Sequence, residues 1–134
     1  MLRIRRDLVE AMVGHARRDH PDEACGVLAG PVGSERPERF IEMTNAERSP
    51  VIYRMEPAEQ LRVFNEMERD GLDLVAIYHS HTRSPAYPST TDVQLAYYPE
   101  AFYLIVSLRD RDNPDLRAFR ITDGKVEEVG LDVS

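Results

Sequence analysis

The chain has 134 residues, of which 42% are hydrophobic and 31% charged, and its formal net charge is −7. These values predict one globular domain over residues 1–134, and the acidic balance argues against nucleic-acid binding, because phosphate contacts need a basic surface. No apolar run approaches the roughly 20 residues that span a bilayer, no signal peptide precedes the first helix, and the single cysteine, Cys25, has no disulfide partner. We therefore predict a cytoplasmic protein that does not enter the membrane.

Helices and strands alternate in the first half of the chain. Apolar spacing and turn residues predict the order helix, strand, strand, helix over residues 6–20, 23–30, 38–43 and 57–71. Pro21 ends the first helix, whereas Pro57 and Gly71 mark the start and end of the second. Residues 45–55 are predicted as extended, irregular chain, and the basic cluster RIRR at residues 3–6 as solvated surface.

Strands dominate the second half. We predict strands over residues 72–81, 101–108, 115–122 and 125–133, with a short helix starting near residue 89. The order of the elements predicts an α/β (α+β) protein in which helices pack on a mixed or antiparallel sheet.

A pair of histidines, His79 and His81, ends the strand predicted over residues 72–81. Alternation along a strand places both imidazoles on one face, where they can coordinate one metal ion. A third ligand is available in Asp92, three residues after Ser89, which is a good N-cap for the short helix. The residues alone leave two alternatives open, namely ordinary capping at Ser89 and histidines that are exposed or hydrogen-bonded.

The spacing of these residues resembles a known signature. His79-Ser80-His81, seven residues, Ser89, two residues and Asp92 match the H-S-H-x7-S-x2-D motif of the JAMM (JAB1/MPN/Mov34) metalloprotease family. The segment PDEACGVLAG resembles the part of the family that carries an upstream glutamate, here Glu23. Family members often have proline after the second histidine, where this chain has threonine. Overall, the chain is most similar to the small bacterial Mec+ type.

The resemblance implies a single-domain cytidine-deaminase-like/MPN fold with a mixed, mostly antiparallel sheet flanked by helices. It implies that His79, His81 and Asp92 bind Zn²⁺, that Glu23 is the general base, and that Ser89 donates a hydrogen bond to the reacting carbonyl oxygen. It also implies a ubiquitin-like sulfur carrier protein as partner, with cysteine released from its C-terminal Gly-Gly-(Cys) tail for cysteine biosynthesis.

Other residues are candidates for holding this tail. They lie in the irregular segment and in the loop after the histidines: Asn45, Ser49, Tyr53, Arg83 and Tyr87. An extended peptide can bind there beside a strand edge. The alternative is an ordinary ordered connection without a substrate role.

Three further functions compete with a carrier peptidase. The same chemistry can act on an isopeptide bond of another ubiquitin-like protein, or the domain can be a non-catalytic MPN scaffold. A third alternative makes Cys25 a nucleophile, since alternation places it on the same strand face as Glu23. We predict that Ser80 packs or binds backbone on the opposite face, and that His15 and His20 are structural, away from the motif.

Overall fold

A six-stranded sheet forms the centre of the protein in the computed structural model, which describes residues 1–134. In chain order the elements are β1 (Leu2–Ile4), α1 (Arg6–Asp19), β2 (Cys25–Pro31), β3 (Arg39–Met43), α2 (Pro57–Arg69), β4 (Leu72–His81), α3 (Thr90–Gln94), β5 (Phe102–Ser107), β6 (Asp115–Thr122), β7 (Lys125–Val129) and β8 (Leu131–Val133). The strand order across the sheet is β3-β2-β4-β5-β6-β7, and β4 and β5 form its one parallel pair. The predicted α+β class with a mixed, mostly antiparallel sheet is confirmed.

Helices cover both faces of the sheet, because side chains alternate along each strand. On one face, Met12 of α1 packs into the cluster that contains Tyr78 of β4. On the other face, Met67 of α2 packs into the cluster that contains Ile77. The two histidines at the end of β4 follow Ile77 at intervals of two residues, so both lie on the side of the sheet covered by α2.

Most predicted elements are observed close to their predicted bounds. The strands over residues 72–81 and 115–122 match the prediction, and the two long helices end within two residues of it. The segment over residues 45–55 is irregular, as predicted, and is closed by an isolated bridge between Asn45 and Met55. None of the helices combines the length and apolar composition needed to cross a membrane.

The prediction at the C-terminal end of the chain is wrong, and the one at the N-terminal end holds for the arginines alone. Residues 125–133, predicted as one strand, form β7 and β8 on either side of Gly130. The second of these leaves the central sheet because it pairs in parallel with β1, inside the basic cluster predicted as solvated surface. Leu2 and Ile4 are each only 1% exposed and belong to the core, whereas Arg3 points to solvent. Alternation therefore buries two apolar side chains within a segment whose arginines face water.

The central strands β2 and β4 position the residues that the sequence predicts as the metal site and its base. A Cβ atom at Gly26 would lie 2.7 Å from the carbonyl oxygen of Ile41, so this position of β2 accepts only glycine without a shift of backbone. Immediately before β2, the N–H of Ala24 donates a hydrogen bond of 2.8 Å to Ser80 Oγ. The predicted backbone-bonding role of Ser80 is thereby confirmed. This bond extends the contact between the two strands to the residue next to Glu23.

Candidate metal centre

The two histidines lie side by side at the buried end of β4. His79 and His81 are 1% and 2% exposed, and their Nε2 atoms are 3.1 Å apart. His79 lies opposite Cys25 of β2 in the antiparallel ladder. The strand therefore aims both imidazoles at a common point, as the alternation argument predicts.

Helix α3 brings a carboxylate to the same point. Ser89 is its N-cap, and its Oγ accepts a hydrogen bond of 3.0 Å from the N–H of Asp92. In return, the Asp92 carboxylate accepts a hydrogen bond of 2.9 Å from the N–H of Ser89, which completes a capping box. The same Oδ2 atom lies 3.1 Å from Nε2 of His79 and 2.9 Å from Nε2 of His81. The Asp92 side chain thus both caps α3 and approaches the two histidines.

The three converging atoms fit the ligand set of a single metal ion. Ligand atoms at the usual zinc distances of about 2.0–2.1 Å lie roughly 3.3 Å apart around a tetrahedral ion. The three separations of 2.9 to 3.1 Å between the Nε2 atoms and Oδ2 approach that value. His79, His81 and Asp92 are also the one group of at least three such side chains whose ligand atoms all lie within 4.8 Å of one another. The donor set can therefore hold a metal ion.

Burial and mutual contacts set the protonation states of the three candidate ligands. Nδ1 of His81 lies 2.8 Å from the carbonyl oxygen of Pro85, a contact that orients the ring and leaves Nε2 free as a ligand. Burial lowers the pKa of His79, so that its ring stays neutral. Burial works to raise the pKa of Asp92, but hydrogen bonds with the two imidazoles outweigh it and hold that pKa well below its usual range. Burial works to lower the pKa of His81, but its contacts with Asp92 and the Pro85 carbonyl outweigh burial and raise that pKa, so a metal ion would displace a proton from this ring.

Tyr53 packs directly on the centre. Its ring stacks on that of His79 with centroids 4.4 Å apart and an interplanar angle of 20°. The other side of Tyr53 lines an apolar pocket of about 190 Å³ together with Ile77, Tyr97 and Tyr103. Predicted as a substrate contact, Tyr53 is half-buried and joins the candidate centre to this pocket.

Glu23 is a buried carboxyl group next to the centre. It is 4% exposed, and its Oε1 atom has no hydrogen-bond partner. Burial raises the pKa of Glu23 to about 8; nearby His81 lowers it in part, whereas nearby Asp92 adds to the rise. A carboxyl group whose pKa lies near neutrality can both accept and return a proton, which is the chemistry of a general base.

A loop formed by residues 45–54 clamps the backbone of Glu23. The Glu23 N–H donates to the carbonyl oxygen of Ser49 at 2.8 Å, and Asn45 Nδ2 donates to the carbonyl oxygen of Glu23 at 3.0 Å. The remaining hydrogen bonds of the Asn45 amide go to the backbone of Glu47, Ile52 and Arg54. The hydrogen-bonding capacity of the Asn45 amide is therefore taken up by the loop and by Glu23, so Asn45 positions the backbone of Glu23, and its contact with substrate stays a prediction.

The other predicted substrate-binding residues, Ser49, Arg83 and Tyr87, share no common contact. Ser49 Oγ accepts a hydrogen bond from the Val51 N–H, so its side chain also serves the loop. Arg83 is exposed two residues after His81. Tyr87 is 54% exposed, and the edge of its ring meets Phe119. The role of Arg83 and Tyr87 toward a substrate stays a prediction.

Cys25 lies on the face of the sheet that carries the centre, as alternation predicts, but its environment is unsuited to a nucleophile. The thiol is buried among the apolar side chains packed beneath α2. Burial raises the pKa of Cys25 to about 12, which keeps it protonated at neutral pH. These properties are those of a small buried apolar residue.

Two residues have contacts near the candidate centre that the sequence does not predict. Thr82, in the position where family members often have proline, donates a hydrogen bond of 2.9 Å from Oγ1 to the carbonyl oxygen of Pro50. It thereby ties the histidine strand to the loop that clamps Glu23. His15, predicted to lie away from the motif, lines the same polar cleft as Glu23. Helical periodicity marks His15 only as a residue of α1, and contacts between distant elements decide which cleft it faces.

A mixed sheet with two buried histidines, a carboxylate and a buried glutamic acid at the ends of its central strands is typical of a class of metal-dependent hydrolase. Residues 5–122 match the family described as prokaryotic homologs of the JAB domain, and the chain belongs to that family. The chain is a peptidase of the JAMM type, as its similarity to named peptidases shows.

The similarity to three known proteins extends over nearly the whole chain. A CysO-cysteine peptidase of Mycobacterium tuberculosis (strain ATCC 25618 / H37Rv) is 61% identical over 99% of this chain and 91% of its own length. A probable TtuB-protein conjugate cleaving protease of Thermus thermophilus is 34% identical over 98% of this chain and 82% of its own. The crystal structure of a JAB1/MPN domain protein from Archaeoglobus fulgidus has a TM-score of 0.67 at 22% identity, covering 98% of each chain. The last similarity confirms the predicted MPN fold.

Proposed function

We propose that this peptidase is zinc-dependent and hydrolyses the amide bond between the C-terminal glycine of a ubiquitin-like sulfur carrier protein and a cysteine attached to it. The observation that carries the proposal is the convergence of His79, His81 and Asp92 beside the buried carboxyl group of Glu23. The substrate class is supported by the 61% identity to a protein named CysO-cysteine peptidase. Release of cysteine would give the enzyme its role in cysteine biosynthesis.

The donor set favours zinc. Two imidazole nitrogens and one carboxylate oxygen are common protein ligands of a catalytic zinc, which keeps one position open for water or substrate. A zinc ion held by these residues would act as a Lewis acid that lowers the pKa of bound water and polarises the carbonyl group of the substrate. His79, His81 and Asp92 would hold the ion, and the contact between His81 and Pro85 would keep one ligand oriented.

Glu23 would move the proton that the reaction requires. Hydrolysis adds water across the amide bond, so that the carrier regains a carboxylate and the amino acid leaves as an amine. Glu23 would accept a proton from the attacking water and deliver it to the leaving nitrogen. Burial raises the pKa of Glu23 to about 8 in the metal-free protein, and the positive charge of a bound metal ion would lower it toward the range of a general base that works near neutral pH.

Ser89 would stabilise the carbonyl oxygen as that atom gains negative charge. Its Oγ accepts the Asp92 N–H, which leaves the hydroxyl proton free to donate elsewhere. One such donor typically contributes about 2.7–4 kcal/mol to lowering a barrier. The cap of α3 and the oxyanion donor can therefore be the same hydroxyl group, each role using a different atom.

The test uses a carrier protein ending in Gly-Gly-Cys and follows the loss of cysteine by mass spectrometry. We expect cleavage by the metal-loaded enzyme, no cleavage after chelation, and recovery when zinc is added. Glu23→Gln should retain zinc, measured by elemental analysis, and lose turnover, whereas the exposed Glu10→Gln control should keep both. Cleavage that is indifferent to chelation, or full activity of Glu23→Gln, would contradict the proposal.

A second candidate function is deconjugation, in which the carrier is removed from a lysine side chain of another protein. The name of the Thermus thermophilus relative, which refers to cleavage of TtuB-protein conjugates, favours it. The two functions are separated by offering the same carrier as a cysteine adduct and as an isopeptide conjugate. A higher kcat/KM for the conjugate would replace the first proposal by the second.

A further inference from the structure

A polar cleft of about 530 Å³ opens beside Glu23, on the side where α1 meets β3. Its walls include His15 and Asp19 of α1, Asp22, Glu42 of β3 and Arg48 of the clamping loop. Volumes of this order hold small ligands. The metal ligands are not part of the lining, so the cleft reaches Glu23 from a different direction than the metal centre does.

Some of the charges in the cleft are already neutralised. Arg18 pairs with Glu42 at 2.6 Å and lies 3.7 Å from Asp19. Asp19 also contacts Nε2 of His15 at 3.2 Å. The Glu59 carboxylate accepts hydrogen bonds from the backbone and hydroxyl of Thr44. These groups bind one another and form the frame of the cleft, in which Arg18 offsets one of the two carboxylates that it contacts and Glu59 keeps its negative charge.

The groups that remain without partners have a distinctive composition. Arg48 makes no ion pair, in contrast to Arg54 of the same loop, which pairs with Glu47 at 2.9 Å. Asp22 is half-buried and its carboxylate also lacks a partner. Two of the three buried side-chain atoms without hydrogen-bond partners, Oε1 of Glu23 and Nδ1 of His15, belong to residues of this cleft. His15 is only 3% exposed, so its lone nitrogen points to a ligand that completes the site.

The conformation of Arg48 supports a functional role. Its φ angle is 46°, in the left-handed region that non-glycine residues rarely adopt. The residue is nevertheless held there, because its N–H donates to the carbonyl oxygen of Asn45, and the next residue, Ser49, accepts the N–H of Glu23. Arg48 is therefore carried on the same hydrogen-bonded loop that positions Glu23. The loop thus fixes the backbone of Arg48 beside the cleft, and its exposed, unpaired guanidinium is suited to binding an anionic part of the substrate.

We infer that the cleft binds the leaving amino acid, with Arg48 pairing with its free α-carboxylate while Asp22 and Glu23 face the amine released from the amide bond. The inference rests on the proposed function, and it adds which part of the protein selects an amino-acid adduct. The free guanidinium of Arg48 matches the carboxylate of an amino acid, and the free carboxylate of Asp22 matches its amine. An isopeptide-linked lysine has no carboxylate next to its amine, so Arg48 would favour amino-acid adducts over protein conjugates.

The experiment compares two carriers that differ only in this carboxylate. One ends in Gly-Gly-Cys, and the other ends in Gly-Gly-cysteamine, which keeps the thiol and lacks the carboxylate. We expect the wild-type enzyme to prefer the cysteine adduct in kcat/KM by about 10- to 100-fold, the range of a charge-assisted hydrogen bond. Arg48→Gly should reduce this preference to near unity, and Arg48→Lys should retain part of it.

The choice of variants separates binding from folding. Glycine favours the φ of residue 48, so Arg48→Gly should unfold at the same or a higher urea concentration than the wild type. Arg36→Ala, at an exposed arginine in the turn between β2 and β3, should keep the wild-type preference.

Each result has a separate meaning. If the wild type cleaves neither adduct, the proposed function fails and this inference fails with it. If it cleaves both adducts equally well, the proposed function stands and only the inference is overturned. If Arg48→Gly keeps the wild-type preference, or lowers kcat/KM equally for both adducts, Arg48 does not recognise the carboxylate.

Discussion

Replacing Glu23 by glutamine should make the metal-free protein more stable and should abolish the activity of the metal-loaded enzyme. The carboxyl group is buried, and burial raises its pKa from the ordinary value of 4.5 to about 8. Between these two pH values the folded protein binds more protons than the unfolded chain, so the free energy of unfolding falls as pH rises. The loss begins near pH 4.5 and is complete above pH 8. Glutamine cannot ionise, and Glu23→Gln therefore escapes this loss.

The size of the effect follows from the same pKa. At about 1.36 kcal/mol for each pH unit, burying the ionisable group costs about 3 kcal/mol at pH 7 and approaches about 5 kcal/mol above pH 8. The amide of glutamine must still be buried, and any polar atom of it that lacks a hydrogen-bond partner reduces the gain. We expect Glu23→Gln to be more stable by about 1–3 kcal/mol at pH 7 and nearly equal to the wild type at pH 4.

Urea unfolding of the chelated proteins at a series of pH values measures this difference. A gain of this size should raise the urea midpoint at pH 7 by about 1 M, since m is about 1–3 kcal/mol/M for small proteins. Glu10→Gln, at an exposed position of α1, is the matched control and should show no gain that grows with pH. If Glu23→Gln were less stable than the wild type at pH 8, or its gain were the same at every pH, the buried carboxyl group would not be the cause.

Three further changes test individual contacts. Ser80→Ala leaves the buried N–H of Ala24 without its acceptor and should lower the free energy of unfolding by about 1–3 kcal/mol, measured by urea denaturation. Gly26→Ala places a Cβ 2.7 Å from a carbonyl oxygen and should cost about 1–3 kcal/mol, whereas Gly14→Ala, with open space in α1, should gain up to about 1 kcal/mol; equal effects at the two glycines would contradict the crowding argument. Ser89→Ala should lower kcat about 10²- to 10³-fold and destabilise the fold by about 1 kcal/mol through loss of the cap; an unchanged kcat in a steady-state assay would exclude Ser89 as the oxyanion donor.

Local patterns in the sequence predict the convergence of the three candidate metal ligands. Strand alternation places His79 and His81 on one face, and the N-cap at Ser89 sets the position of Asp92. Each of these relations extends over a few residues, and the two parts meet across a short loop. Glu23 is different, because its approach depends on the antiparallel pairing of β2 with β4, and only the resemblance to a family predicts it.

Contacts between distant short segments account for what the sequence does not predict. β1 and β8 have three residues each, too few for a periodic pattern, and they form a parallel pair between opposite ends of the chain. The cleft lined by His15 and Arg48 likewise combines a helix with a loop through tertiary contacts. Its unpartnered atoms become apparent only when every hydrogen bond around them is known.

The separation of ligands and base along the chain has a consequence for how the enzyme matures. His79 and Asp92 are 13 positions apart and meet through local structure, whereas the bond between Ala24 and Ser80, next to the base, joins residues 56 positions apart. Closing the shorter loop costs less conformational entropy, so a nascent chain can load zinc at the proposed site before β2 has docked. Such a species would carry its full metal content and remain inactive. Zinc stoichiometry therefore reports on one part of the fold, and only turnover shows that the whole domain has assembled.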